Sequence, residues 1–407
     1  MKKLLSILCA AVLLATLVIT CVSCGGSSVS ADFKVGAILI GDENEGYTYA
    51  HINGIRSAAK ELDMSDDQII WKYTVPEDEK CYDAAIDLVE QGCSVIFSNS
   101  YGHQSHMKQA AQECPDVTFV AMTGDQAATS GLSNYKNAFT GVYQSRYVAG
   151  VVAGMKLAEL VADGKLTDAN YDGDNIKLGY VGAYPYAEVV SGFTAYYLGV
   201  KSVVENVTMQ VTYTNSWFDI TAEGTVAEAL AADGCVIISQ HADSTGAPAA
   251  VQALQDKGQV IYCVGYNVDM LSVAPNAALT SPTNTWAVYY KYAMETAANG
   301  GTIDTNWAKG YEADAVGITA LGSACAAGTQ EKVDEVVKGL KDGSIKVFDT
   351  SKFTVGGATL TEYLADVDGD FAPDTNAIWD GYFHESEMRS APYFDIRIDG
   401  IVENNNN

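Results

Sequence analysis

The sequence predicts an α/β chain of two doubly wound parallel-sheet lobes, and three observations carry that prediction. Apolar runs of strand length alternate with helical patterns through most of the 407 residues. The alternation restarts after about Val142, so two similar halves stand in tandem. In both halves, polar and aromatic clusters fall just after the strand runs, where open α/β sheets hold their ligands.

The first half reads β-α-β-α-β-α-β. KVGAILI, from Lys34, is a strand, and the helix from Tyr47 to Leu62 carries Ile52, Ile55, Ala59 and Leu62 on one stripe. QIIWKYTV from Gln68 is the next strand; the helix YDAAIDLVEQG closes on Gly92, in the position of a C-terminal cap. SVIFSNS leads to the helix HQSHMKQAAQEC, which Pro115 stops, and VTFVAMTG follows. Such alternation is the pattern of a parallel sheet covered by helices on both faces.

The second half opens with AFTGVY and the long helix from Arg146 to Gly164, followed by a polar loop. Strands KLGYVGA, MQVTYTNS, CVIISQH and QVIYCVG alternate with helices that begin near Glu188, Thr221 and Ala247. Two further helices, at Thr285–Gly300 and Gln330–Gly343, precede a strand-and-loop tail ending in an asparagine run.

Before the first strand, Lys2 and Lys3 precede an apolar run that ends in small residues, the layout of an export signal over residues 1–23. CVSCGGSS resembles a lipobox, with Cys24 as the residue that would receive lipid; Cys21 stands where leucine is usual. Residues 24–32 then read as a flexible tether.

The formal net charge is −27, with 24 Lys and Arg against 51 Asp and Glu. A surface so acidic repels nucleic acid and disfavours phosphorylated ligands. The six cysteines beyond Cys24 form no CxxC and no zinc pattern, and several lie in apolar runs as buried thiols.

Catalytic and metal templates are not met. GDENEG lacks the spacing of a dinucleotide loop, and neither a P-loop nor a GxSxG elbow occurs. The histidines, His103 and His106 among them, complete no ligand set, so no metal is expected and they read as polar lining. DVDGDFAPDTNA from Asp366 has the acids of a calcium loop, but Phe371 replaces the turn glycine and Ala377 the bidentate glutamate. It reads as a polar turn.

The runs EGYTYAHINGIR, VPEDEKCYDAAIDLVEQGCSVIFSNSYGH and TNSWFD…SQHADSTG…VGYNVDM resemble the basic membrane protein family of substrate-binding lipoproteins. The similarity spans about Phe33 to Lys346 and fades in the C-terminal sixty or so residues. The resemblance implies the type I periplasmic-binding-protein fold, two lobes joined by a three-segment hinge. It implies a ligand among purine nucleosides, purine bases or riboflavin-like compounds, delivered to an ABC permease. Two positions depart from the family pattern: Tyr47 stands where tryptophan is usual, and Asn267 where aspartate is usual. Loss of that carboxylate weakens a ribose contact and moves the expectation toward a free base.

A planar heterocycle needs aromatic faces and polar edge contacts. Tyr47 and Trp217 are expected as opposite walls, with Tyr101 and Trp286 as further candidates. Asp42, Asn44, Ser100, Gln240, Asp243 and Asn267 are the expected edge contacts; Asp243 or Ser244 could instead cap the helix that follows. Lys291 reads as a surface lysine.

The expectation is thus a monomeric, cofactor-free importer component, lipid-anchored on the extracytoplasmic face of a bacterial membrane, that closes two lobes on a purine base or nucleoside. Lobe one comprises 33–142 plus about 268–308, lobe two 143–267 plus about 309–400, and 401–407 are a disordered tail. A nucleoside-acting hydrolase or a membrane-coupled sensor is the alternative from another class, but the acids form no recognisable catalytic set.

Overall fold

The computed structural model describes residues 29–404; the leader, Cys24, the start of the tether and the last three asparagines lie outside the described residues. Two sheets of six strands organise the chain.

Lobe one is built from β1 (Val35–Ile38), α1 (Gly46–Glu61), β2 (Ile69–Lys72), α2 (Glu79–Glu90), β3 (Val95–Ser98), α3 (Gln104–Glu113), β4 (Thr118–Met122) and β5 (Tyr135–Thr140). All pairings among these strands are parallel, with Val35 opposite both Ile69 and Val95. β1, β3 and β5 are buried along their whole length, as expected of strands covered on both faces.

Lobe two follows with α4 (Val142–Ala162), β6 (Tyr171–Asp172), β7 (Asn175–Gly182), α5 (Ala187–Lys201), β8 (Val207–Tyr213), α6 (Ile220–Ala232), β9 (Ile237–Gln240), α7 (Gly246–Asp256) and β10 (Tyr262–Val264). Its order is β10-β9-β7-β8, with β6 antiparallel on β7. After β11 (Pro282–Asn284), α8 (Trp286–Ala298) packs against α1, and β12 (Asn306–Lys309) adds to the lobe-one sheet beside β5. β13 (Val316–Ile318) pairs antiparallel with β11, and α9 (Thr329–Lys341) lies on α4 of lobe two. The chain therefore crosses between the sheets three times: at Thr140–Val142, before β11 and after β12.

Three boundary expectations need correction. Residues 268–281 do not return to lobe one. Met270, Ala274 and Ala278 share a core with Ile238 and Val251, and Ala278 bridges Cys263, because this alanine-rich run fits closely under α7. The return begins near Pro282. Ile401–Glu403 is not a disordered tail but a strand parallel to β8, with Ile401 opposite Met209; β-branched Ile401 and Val402 suit a pleated sheet edge. The end of the tether is docked: Ser30 O accepts from the Phe33 amide and Gln68 Nε2, and Val29 packs on the lobe-one core.

The six cysteines in the described residues are free, and Cys81, Cys93, Cys235 and Cys263 are buried. Burial pushes the Cys81 and Cys263 thiols up to about 12, so they behave as small apolar groups.

The tightest helix contact in lobe two rests on a reciprocal pair of glycines. A Cβ on Gly150 of α4 would stand 2.1 Å from the Tyr196 carbonyl oxygen, and one on Gly199 of α5 would stand 2.1 Å from that of Tyr147. Neither backbone can yield without parting the helices. Gly199→Ala is expected to destabilise the protein by about 1–3 kcal/mol, the cost of overpacking a filled core. Urea unfolding measures this as a lowered midpoint; an unchanged midpoint would contradict the helix contact.

Candidate ligand-binding site

A cavity of about 460 Å³ opens at the carboxyl ends of both sheets, within the usual range of small-molecule sites. Lobe one supplies the turns after β1, β2, β3 and β4; lobe two supplies Glu188, Trp217, Phe218 and Asp243, and Tyr266 comes from the loop just after β10.

The turn after β1 is shaped by its own acids. Glu45 caps α1, its carboxylate accepting from the Tyr47 and Thr48 amides at 3.0 Å each. Asp42 Oδ1 accepts from the amide and the side chain of Asn44, at 2.8 and 2.9 Å. The cap starts the helix at Gly46 and directs Tyr47 into the cavity, where its hydroxyl donates to Asn99 O at 2.5 Å. Asn99 is itself fixed, accepting from the Ile40 amide at 2.8 Å and donating to Thr48 at 3.2 Å. Beneath Tyr47, His51 meets the ring edge-on at 4.6 Å and stacks on Trp286 at 4.3 Å.

Trp217 faces from lobe two, edge-on to Tyr184, which stacks on Tyr186 at 5.1 Å. Tyr186 is 52% and Phe218 40% exposed, so aromatic surface continues toward the mouth of the cleft.

The cavity is acidic without a basic lining residue. Burial raises the Glu188 carboxyl to about 7, with the Arg146 charge opposing. Burial holds Asp243 well above the usual carboxylate range, helped by the charges of Glu45, Glu223 and Glu188 and opposed by Arg146. Arg146 is wholly buried behind the wall: it donates to Gln240 O at 2.5 Å and lies 3.7 Å over the Tyr266 ring. Burial and Arg146 also keep His241 well below its ordinary pKa, so its 3.3 Å contact with Glu188 is a hydrogen bond of a neutral ring.

The structure brings Asp42, Asn44, Tyr47, Ser100, Tyr101, Trp217 and Asp243 together around the cavity. Ser244, not Asp243, closes the turn before α7, its hydroxyl accepting from the Gly246 amide at 3.0 Å; Asp243 is left to the cavity.

Three expected contacts lie elsewhere. Trp286 is 1% exposed and packs as core under His51. Gln240 is turned into its own loop, donating to the carbonyls of Ala242 and Ser244. Asn267, with φ of 61°, donates to Asp243 at 2.7 Å and accepts from Asn284 at 3.0 Å, so it orients the carboxylate from behind.

Sequence reasoning missed Glu45, Glu77, Asn99, Glu188 and Tyr266 as cavity-lining residues. Most fall in strand-end clusters already visible as polar, but which side chain of a cluster points inward depends on the cap and turn geometry. Lys291 lies at the surface paired with Glu61 at 2.6 Å, as expected.

Known proteins place this arrangement. A relative named purine-binding protein, from Brucella abortus, is 33% identical over 270 residues, covering 65% of this chain and 69% of its own. A second, from Haloferax volcanii, bears the name of a candidate ABC transporter glucose-binding protein; it is 27% identical over 68% of this chain and 64% of its own. Among solved structures, an ABC transporter solute-binding protein from Aeropyrum pernix superposes with a TM-score of 0.63 at 16% identity, covering 78% of this chain and 93% of that one, which speaks for the fold. The family model described as ABC transporter substrate-binding protein PnrA-like matches residues 39–350. The chain belongs to that family, Bmp, of ABC transporter substrate-binding proteins.

Proposed function

We propose that the cavity captures a purine base or nucleoside, with the free base preferred, for delivery to an ABC permease. The observation that carries this is that Tyr47 of lobe one and Trp217 of lobe two both line one cavity, edged by carboxylates and free of lysine or arginine lining. Planar rings stack on such walls, and ring and exocyclic N–H groups donate to such acids. An anionic ligand would find acidic side chains in the lining, Asp42 and Glu77 among them, and no lysine or arginine to pair with. The preference for a base rests on Asn267, which stands where a carboxylate is usual and is turned onto Asp243 and Asn284 rather than lining the cavity. The purine name of the Brucella relative supports the same class.

The aromatic surface of Tyr184, Tyr186 and Phe218 at the mouth favours a second reading, a larger heterocycle such as riboflavin. We further assign Cys24 as the lipid attachment site that would hold a monomeric protein at the outer face of the membrane; palmitate labelling lost in Cys24→Ser tests it.

Thermal stabilisation by adenine, guanine, adenosine, inosine, guanosine, riboflavin and glucose tests the ligand class, because a binder is stabilised by RT ln(1 + [L]/Kd). A purine is expected to give the largest shift and to be recovered unchanged. Stabilisation by glucose alone would overturn the proposal, and base released from a nucleoside would make the protein an enzyme. Tyr47→Ala is expected to weaken the bound purine by about tenfold, roughly 1.4 kcal/mol of stacking and burial; calorimetry showing unchanged affinity would remove Tyr47 from the site.

The raised carboxyls give pH dependences of known sign. The Glu188 carboxyl, raised to about 7 in the fold, contributes stability below the ordinary carboxylate range that is lost as pH rises through 7. Ligand-free protein is therefore expected to unfold at lower urea at pH 8 than at pH 5. Purine affinity, which uses the ionised acceptor, should rise over the same interval. Glu188→Gln should flatten both trends; two curves parallel to the parent would refute Glu188 as the titrating group.

A further inference from the structure

Residues 351–404 lie beyond the part of the chain that matches the family, and they form a strap across the two lobes. The strap is rooted in lobe two. Phe353, Ile378, Phe383, Phe394, Ile396 and Ile398 belong to its core, and Phe394 stacks on Phe348 at 4.2 Å. From that root it reaches lobe one. Asp368 O accepts from Thr129 at 3.2 Å, and Ser390 donates to Asn306 of β12 at 3.4 Å. A Cβ on Gly369 would stand 3.0 Å from Asp125 O, so the strap lies close against that loop.

The central contact is charged and shielded. Arg389 is 8% exposed, and its guanidinium donates to the carbonyls of Ala391 and Pro392 at 3.1 and 3.0 Å, which fixes its direction. Its remaining nitrogen, Nη1, lies 3.8 Å from Asp125 Oδ2 of lobe one and 3.9 Å from Asp366 Oδ1 of the strap. Asp125 Oδ2 is also the oxygen to which the Tyr101 hydroxyl donates, at 3.0 Å, and Tyr101 lines the cavity. One carboxylate oxygen of lobe one is thus shared by a cavity wall and by a cation rooted in lobe two.

We propose that Arg389 is a positioning residue: by holding Asp125 from lobe two, it clasps the lobes together and orients Tyr101 against the ligand. The inference rests on the proposed site only for its second half; the clasp between lobes stands without any ligand. A shielded charge pair that loses one partner leaves the other buried and uncompensated, and at interfaces such losses act mainly on dissociation. When the lobes separate, Asp125 leaves Arg389 and Tyr101 loses the cation that fixes its acceptor.

Fluorescent labels on the two lobes of the full chain report their separation without ligand, and stopped-flow release of adenine reports the site. Arg389→Gln is expected to widen the lobe separation in ligand-free protein and to raise the adenine release rate about tenfold, with association changed less than about threefold. Tyr101→Phe in the Arg389→Gln background should add less than it does alone, because both act through Asp125. Asp125→Asn, which keeps the acceptor for Tyr101 and removes the charge, should reproduce the widened separation if Arg389→Gln does not fold. An unchanged lobe separation in both variants overturns the clasp. Strictly additive Arg389 and Tyr101 effects overturn the coupling to the cavity. If adenine does not bind the parent protein, the ligand assignment fails while the lobe measurement still decides the clasp.

Discussion

Burial of both faces of a parallel sheet is the constraint on which the rest of this structure depends. Strands such as β1, β3 and β5 have no solvent-facing side, so polar groups are carried largely by the turns at the strand ends. The carboxyl ends of both sheets converge, and the turns there carry Glu45, Asn99, Trp217 and Asp243 into one cavity. The helix cap made by Glu45 is part of the same geometry, because starting α1 at Gly46 fixes where Tyr47 points. Fold and site are therefore one arrangement of backbone, with the site's rigidity borrowed from the sheets beneath it.

Electrostatics narrows what that cavity accepts. The charges of Glu45, Glu223 and Glu188 all bear on Asp243 there, against the single buried guanidinium of Arg146. Glu45 and Glu223 have their oxygens occupied by backbone amides, of Tyr47 and Thr48 in one case and of Asp219 and Ser244 in the other. Glu188 accepts from neutral His241, and Asp243 from Asn267, each through one oxygen. Those two line the cavity with acceptor capacity left over, as do Asp42 and Glu77. Arg146 lies behind Tyr266 and moderates the field without contributing a donor to the cavity.

Much of this was legible in the sequence, for identifiable reasons. The alternation of apolar runs and helical stripes is a direct record of two-sided burial, so the lobes could be read from residues such as Ile52, Ile55 and Leu62. The strand-end clusters marked where a site must form. What could not be read was direction within a cluster. Gln240, the last residue of β9, and Asp243, in the loop after it, are three residues apart, yet one bonds to the carbonyls of that loop and the other lines the cavity. Trp286 resembled a wall from its position after β11, but the first turn of α8 buries it beneath His51. Such choices are made by a few backbone torsions, among them the left-handed Asn267, which no periodicity encodes.

The C-terminal segment was the least legible part, and the physical reason bears on how the lobes are held. Its strands are two or three residues long, too short for an alternating pattern, and its apolar residues are spaced by turns. They nevertheless complete the lobe-two core around Phe348 and add the outer strand Ile401–Glu403 to its sheet. A segment so anchored moves with lobe two, while Thr129, Asn306 and Asp125, which it touches, move with lobe one. Any relative motion of the lobes must therefore be resolved at these contacts as well as at the three crossings. Since Arg389 is fixed by two carbonyls of its own strap, its side chain is poorly placed to follow Asp125 outward. The C-terminal segment thus gives a hinge of three chain crossings a fourth, breakable attachment.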